Sequence, residues 1–331
     1  MNEEQVPQQQ EQRMPEFFPR DPEYGAGNLK PVVGIVGHGF VGKAVERAID
    51  SHVEKFLVDP NYSTTIDQLI EQQPILAFVC TPTPTSKTGR IDAAVTLDAI
   101  LKLLKHTQAG IVLKSTVTPD VVEKIVMTAN NMGSTDRFIY APEFLTEKNA
   151  DYEYCNPKYM VLGGMESCVN ELLGFLHECS FVVLPKNTEE DGGIHIVNPM
   201  EASYVKYAIN AFLAMKVTFF NQLHDAMMDD EFNINAIRVL KTLGAEQRLG
   251  GTHWRVPGPD GKKGFGGACF PKDVSALTTF SDKFSLLEKV TEINNEYRKE
   301  YDLDSREIEQ NISFDKEGET DVSDGETQEE Q

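Results

Sequence analysis

Residues 32–50 read VVGIVGHGFVGKAVERAID: a short apolar run, a glycine-rich turn and an amphipathic segment in direct succession. The apolar run has the length of a buried strand, and the segment after the turn spaces its apolar residues as a helix does. The turn itself, Gly37-His38-Gly39-Phe40-Val41-Gly42, is a GxGxxG between the two. Its first glycine permits a tight turn, its second lets backbone approach a pyrophosphate, and its third lets the helix pack closely on the strand. The helix start then offers N–H groups and the positive end of its dipole to phosphate oxygens. Asp59 closes the next apolar run, KFLVD (55–59), 22 residues after Gly37. A carboxylate there can bind both ribose hydroxyls of NAD and would repel the 2′-phosphate of NADP. Together these features predict an NAD site built from Gly37, Gly39, Phe40, Val41, Gly42 and Asp59.

The alternation continues outward from that stretch. ILAFVC (75–80), GIVLKS (110–115) and RFIYA (137–141) are further strand-length apolar runs, with helix-length segments such as 41–50 and 92–105 between them. Strand and helix in strict turn predict an α/β fold, a Rossmann-type doubly wound parallel sheet covered on both faces. Two more β-type stretches, KYMVLGG (158–164) and FVVLP (181–185), flank a helix expected around 166–178. After Asn198 the pattern turns helical. Residues 200–230 contain neither Gly nor Pro and predict one long helix, buried on more than one side. Shorter helices are expected near 233–243, 270–280 and 284–299, with a glycine-rich loop over 244–264. The organisation expected is a cofactor domain over 31–197 and an all-helical central domain over 198–300. The Gln-, Pro- and Glu-rich residues 1–30 and the acidic residues 301–331 are expected to be disordered tails.

The 331 residues are 40% hydrophobic and carry 52 acidic side chains against 31 basic ones. Of the formal charge of −21, residues 1–30 hold −3 and residues 300–331 hold −11, so the folded part is only mildly acidic. No concentration of Lys and Arg exists to bind nucleic acid. The N-terminus lacks the pattern of a signal peptide, and no apolar run approaches the ~20 residues of a membrane span. Five cysteines (80, 155, 168, 179, 269), odd in number and without a CxxC, favour a reducing, cytoplasmic setting. The histidines never fall at metal-ligand spacing, so no metal site is expected.

Chemistry-bearing residues fall in four places. Thr81 and Thr83, and Ser115 and Thr116, follow the third and fourth strands, at the sheet edge where α/β proteins bind ligands; each is equally a turn or cap residue. In FGGACFPKD (265–273), Cys269 follows a glycine pair and precedes a helix opened by Pro271, whose N–H groups favour a thiolate. Asp273, four residues on, shares its helical face, which makes Cys269 a candidate nucleophile with a nearby base; a packing cysteine is the alternative. Lys206 and Asn210, also four apart, could polarise an oxygen or belong to a solvated stripe. Glu143 and Glu147 form either a carboxylate pair or an ordinary capping pair.

Seven segments, GIVGHGFVG, CTPTPTS, KSTVTP, APEFLTEKNA, EASYVKYAINAFLAMKVTFFNQL, EQRLG and VPGPDGKKGFGGACFPKD, run in an order that resembles the UDP-glucose/GDP-mannose 6-dehydrogenases across roughly residues 32–298. The resemblance implies oxidation of a nucleotide-sugar C6 alcohol to a carboxylate with two NAD, UDP-glucose being the substrate the CFPKD wording leans toward and GDP-mannose its competitor. It implies that Cys269 captures the aldehyde as a thiohemiacetal, which becomes a thioester and is hydrolysed. Lys206 would stabilise the oxyanion beside Asn210, Asp273 and Thr116 would hold and activate a water, and Glu147 would take part in hydrolysis. Glu143, Phe144 and Leu145 would lie near cofactor or substrate, Thr81, Thr83, Ser115 and Thr116 near cofactor, Arg248 at the nucleotide pyrophosphate, and Phe265, Gly266 and Gly267 along the sugar.

Family members continue beyond the equivalent of EKVTEINNEYR (288–298) into another α/β domain, where this sequence has a stretch of about thirty residues rich in Asp and Glu. Two readings follow: a working dehydrogenase, or an NAD-binding chain with impaired catalysis that serves as a partner subunit. A homodimer through the 200–230 helix is expected in either case.

Overall fold

β1 (Val32–Val36) is almost wholly buried because apolar side chains point to both of its faces. The computed structural model that shows this describes residues 30–314 apart from 87, 147, 189–191, 230, 232 and 233. After β1 come α1 (Phe40–Ala48), β2 (Glu54–Val58), α2 (Ile66–Glu71), β3 (Leu76–Val79), α3 (Ala94–His106), β4 (Gly110–Leu113), α4 (Pro119–Asn131) and β5 (Phe138–Tyr140). The chain continues through α5 (Ala150–Cys155), β6 (Tyr159–Gly163), α6 (Glu166–Cys179), β7 (Gly193–Val197) and α7 (Pro199–Met228). α8 (Ala236–Leu243), α9 (Phe270–Phe280), α10 (Ser285–Arg298) and α11 (Ser305–Glu309) complete it. The described residues form two compact units, 30–83 with 92–206 and 84–91 with 207–314.

The first unit is a sheet of order β2-β1-β3-β4-β5-β6-β7. Every residue of β3 and β4 is buried, as strands covered on both faces require. β1 pairs in parallel with β2 on one side and β3 on the other, so the strand order reverses at β1. That reversal opens a crevice at the carboxyl ends of β1 and β3, the position ligands occupy in such sheets. The crossover helices start where local chemistry allows: Thr65 forms a capping box with Gln68 for α2, and Pro119 opens α4. In the second unit Tyr207, Ala211, Phe265, Val274, Leu277 and Val290 share one apolar core, and Phe220, Leu240 and Val256 belong to another. No described helix is long and apolar enough to cross a membrane.

The structure corrects several expectations. The sheet is not all parallel: β6 runs antiparallel to β5, since the link between them holds only the six-residue α5 rather than a full crossover helix. FVVLP (181–185) is not a strand; its backbone bonds run to Ala48 and Cys155, and the seventh strand is GIHIV in β7. The division between units falls within α7, not ahead of it. Ser203 donates to the Val117 carbonyl and Gly163 abuts Pro199, which ties the first turns of α7 to the sheet. Along with its many buried positions, α7 carries exposed Tyr204, Phe212 and Phe219. Residues 301–314, expected to be part of a patternless tail, contain α11 and the buried side chains of Glu307, Ile312 and Phe314. Residues 1–29 and 315–331 lie outside the described residues.

At Gly163 a Cβ would stand 2.7 Å from the Pro199 backbone, which has little freedom to move. Gly163→Ala is expected to cost about 1–3 kcal/mol of stability through overpacking, read as a lower urea midpoint at unchanged slope. An unchanged midpoint would mean that the start of α7 is not fixed against β6.

Candidate active site

The carboxyl ends of β1, β3 and β4 carry the residues expected at the cofactor. Gly37 leaves β1 with φ of +90°, and a Cβ there would stand 2.6 Å from the Cys80 carbonyl oxygen, so only glycine fits the turn. Gly42 closes against the Gly37 carbonyl in the same way. Gly39 is the N-cap of α1 with no side-chain cap, and a Cβ on it would meet nothing within 4 Å. The first turn of α1 holds no acidic residue. A helix start that faces open ground, uncapped and without a competing anion, fits a pyrophosphate. Phe40 is half-exposed beside it, and Val41 is half-buried.

Asp59 follows β2. Its Oδ2 accepts the His38 backbone N–H at 2.8 Å and its Oδ1 accepts that of Asn61 at 3.0 Å. Burial pushes this carboxyl up, but the bonds from Asn61 and His38 outweigh that and hold it below the usual aspartate range. The group is therefore an anion at neutral pH, with lone pairs remaining for hydroxyl donors. The His38 ring is a component that sequence reasoning missed. One ring nitrogen lies 2.7 Å from Glu46 Oε2 and the other 2.7 Å from Tyr62 Oη, so it links α1 to the turn after Asp59.

The hydroxyls at the ends of β3 and β4 bind one another. Thr81 Oγ1 lies 2.7 Å from Thr96 Oγ1, Ser115 Oγ donates to the Thr81 carbonyl at 2.7 Å, and Thr83 Oγ1 donates to the Thr116 carbonyl at 2.9 Å. Thr81, Thr83 and Ser115 are buried and Thr116 half-buried, so this ladder stiffens the edge. Beside it Glu143 pairs with Lys114, whose ammonium stands 5.6 Å from the Tyr154 ring. Lys114 is a second residue the sequence did not single out. Burial pushes the neighbouring Cys80 thiol up to about 12; Lys114 draws it down and Glu143 pushes it up, and the balance leaves it inert. Phe144 lies 5.3 Å from Lys206 Nζ and 5.0 Å from the Tyr159 ring. Lys114, Glu143, Phe144 and Leu145 help to line a cavity of about 400 Å³. Glu147 lies outside the described residues.

In the second unit Asp273 is only 1% exposed, and its carboxylate is held from both sides. Asn210 Nδ2 donates to Oδ2 at 2.5 Å and Lys272 Nζ to Oδ1 at 2.6 Å. Lys272, itself buried, is a third residue that spacing did not flag. Cys269 is exposed at the N-cap of α9, with Pro271 in the first turn, and its carbonyl accepts the Asp273 N–H at 2.8 Å. Gly267, two residues earlier, has φ of +76°. The Phe265 side chain belongs to the core instead of a surface. Arg248 stands apart: its side chain is 88% exposed and pairs with Glu246, two residues away. Lys206 and Asn210 are one turn apart on α7. Among the described residues, no group of three His, Cys, Asp or Glu side chains is placed to hold a metal.

Comparison with known proteins matches residues 41–179 to the NAD binding domain of the UDP-glucose/GDP-mannose dehydrogenase family and residues 200–296 to its central domain. The chain is 32% identical over 203 residues to a UDP-glucose 6-dehydrogenase of Rickettsia felis, covering 60% of this chain and 42% of the relative. It is 30% identical over 257 residues to UDP-glucose 6-dehydrogenase TuaD of Bacillus subtilis, covering 74% and 52%. The chain thus spans about half the length of the curated relatives it matches. Among solved structures, a UDP-glucose dehydrogenase of Pyrobaculum islandicum superposes with a TM-score of 0.60 at 22% identity over 84% of this chain and 70% of that one. A 3-hydroxyisobutyrate dehydrogenase of Mycobacterium tuberculosis gives 0.59 at 16% identity over 83% and 97%. These likenesses establish the shared fold.

Asp273→Asn keeps the shape of the side chain but leaves the buried Lys272 ammonium without its counter-charge. The expected loss is about 3–5 kcal/mol by urea denaturation. The double variant Lys272→Met/Asp273→Asn is expected to regain more than half of it. A single-variant loss below about 1 kcal/mol, the scale of an exposed pair, would mean the pair is not formed out of water.

Proposed function

The chain belongs to the UDP-glucose/GDP-mannose dehydrogenase family, and on that premise we propose that it oxidises the C6 alcohol of a nucleotide sugar, UDP-glucose, to the carboxylate of UDP-glucuronate. The observation that carries the reading is the Asp273 carboxylate held by Asn210 and Lys272, one turn into the helix whose N-cap is the exposed Cys269. NAD, when bound, accepts the hydride that leaves C6 in each of two oxidations.

The remaining chemistry belongs to the chain. The open N-terminus of α1 would hold the pyrophosphate, and Asp59 would accept from ribose hydroxyls. The Cys269 sulfur bonds to the carbon of the C6 aldehyde, giving a thiohemiacetal whose oxygen carries the proton after addition. Loss of hydride and that proton leaves a thioester. Water then attacks the thioester carbon, the C–S bond breaks, and the carboxylate and the free thiol result. Asp273, paired with Lys272, takes a proton from that water; the family resemblance assigns Thr116 and Glu147 to the same hydrolysis and the Lys206 ammonium to offsetting negative charge on the oxygen. Glu143 and Phe144 orient the sugar, and Gly266 and Gly267 leave room for it. An odd number of cysteines, five, without a CxxC supports a reducing, cytoplasmic setting.

Purified protein supplied with NAD and UDP-glucose is expected to release two NADH per sugar consumed, with GDP-mannose a poor substitute and Cys269→Ser releasing no carboxylate product. Absence of NADH with either sugar, while NAD still binds, would leave an NAD-binding chain without turnover. A homodimer through 200–230 is supported by Tyr204, Phe212 and Phe219, which lie 8 and 7 residues apart and hence along one face of α7, each about half-exposed or more. Light scattering at micromolar concentration is expected to give twice the chain mass, and Phe212→Glu/Phe219→Glu the single mass. A wild-type monomer would refute the dimer.

A further inference from the structure

The loop that carries Cys269 is clasped from behind by side chains of α10. Asn294, 1% exposed, accepts the Phe265 N–H on Oδ1 at 2.6 Å and donates from Nδ2 to the Phe265 carbonyl at 3.0 Å. Arg298, one turn further along the same face and also 1% exposed, donates from Nη1 to Asp260 at 2.7 Å and from Nη2 to Glu307 Oε1 at 2.8 Å. Glu307 is wholly out of water. Its Oε1 also accepts the Gly267 N–H at 2.9 Å, and its Oε2 accepts the Asp304 N–H at 2.9 Å. Gly267 takes a positive φ, and at Gly266 a Cβ would collide with both the Arg298 guanidinium and the Glu307 carboxylate.

The segment that delivers Glu307 is itself fixed. Asp304 forms a capping box for α11, the Gln310 carbonyl accepts the Thr85 N–H at 3.0 Å, and Asn311 Nδ2 donates to the Thr85 carbonyl at 3.2 Å. The Arg298 guanidinium lies 5.4 Å from the Phe314 ring. Apart from Thr85, these residues lie beyond residue 296, where the match to the family's central domain ends. A buried carboxylate is retained only where every lone pair has a strong donor, and one of the donors here is the loop that leads into α9.

We propose that Glu307, held by Arg298, is a positioning residue for Cys269: by pinning the Gly267 N–H it fixes where the chain turns into α9 and so where the thiol stands at the helix start. Glutamine at 307 has one acceptor oxygen instead of two, so its amide must face N–H donors either at Gly267 and Arg298 or at Asp304. The proposal rests on Cys269 being the reacting thiol, but its test reads the thiol and not turnover.

Full-length wild type, Glu307→Gln and Glu309→Gln would be alkylated with iodoacetamide across pH, and modification of the Cys269 peptide followed by mass spectrometry. Glu309 is the exposed control on the same helix. In Glu307→Gln the midpoint is expected to rise by about half a pH unit and the rate at pH 7 to fall about threefold as the thiolate loses its place at the helix start. Glu309→Gln is expected to match wild type. A Glu307→Gln protein with the wild-type midpoint and rate overturns the proposal. Hydrogen exchange on the wild type keeps the test open if the variant does not fold: the Gly267 amide must exchange far more slowly than that of exposed Gly251, and equal rates overturn the proposal as well. A shifted profile in a protein that oxidises no nucleotide sugar would retain the positioning role and remove the enzymatic reading. Turnover that depends on Cys269, alongside an unmoved profile, would do the reverse.

Discussion

A charge taken out of water has to be matched where it lands, and the second unit is arranged around that requirement. Lys272, Asp273, Arg298 and Glu307 are all nearly or wholly buried, and each finds an opposite charge. Asp273 thereby links α7, through Asn210, to α9, and Glu307 links α11 to the glycine turn before α9. The exposed thiol at the start of α9 lies four residues before the first of these buried carboxylates and two after the glycine N–H that the second accepts. The first unit repeats the device once, with Lys114 against Glu143 at the end of β4.

α7 shows how one element can serve both units without a linker. Its first turns carry Ala202 and Ser203, small enough to lie against the sheet near Gly163 and Val117. From Tyr207 onward its buried positions belong to the helical core. The division therefore falls inside one continuous helix, not at a break in the chain.

What could be read from the sequence was local. The turn at Gly37 is legible because a φ of +90° against the Cys80 carbonyl admits only glycine, and Asp59 because its distance along the chain is set by one strand–helix–strand unit. The long helix and the helices after it follow from periodicity. Partners across the chain were not legible. Nothing near Asp273 marks Lys272 as its buried counter-ion rather than one more surface lysine. Glu307 sits among acids that resemble a solvated tail, and its role depends on Gly267, forty residues earlier. FVVLP has the composition of a strand but runs against helix ends, whereas GIHIV, less apolar, finds a strand to pair with in β6. Arg248 matches the family's motif, yet its guanidinium turns outward to Glu246.

The edge of the first unit's sheet is lined with threonine and serine hydroxyls bonded to one another, in front of a helix start made of backbone N–H groups. An anion held there is held by fixed dipoles instead of mobile counter-charges. Dipoles of that kind belong to the backbone and are set in place by the fold before any anion arrives. What such a site offers an anion therefore depends on the turn at Gly37 keeping its shape, and is lost when the backbone moves and not when one side chain is exchanged.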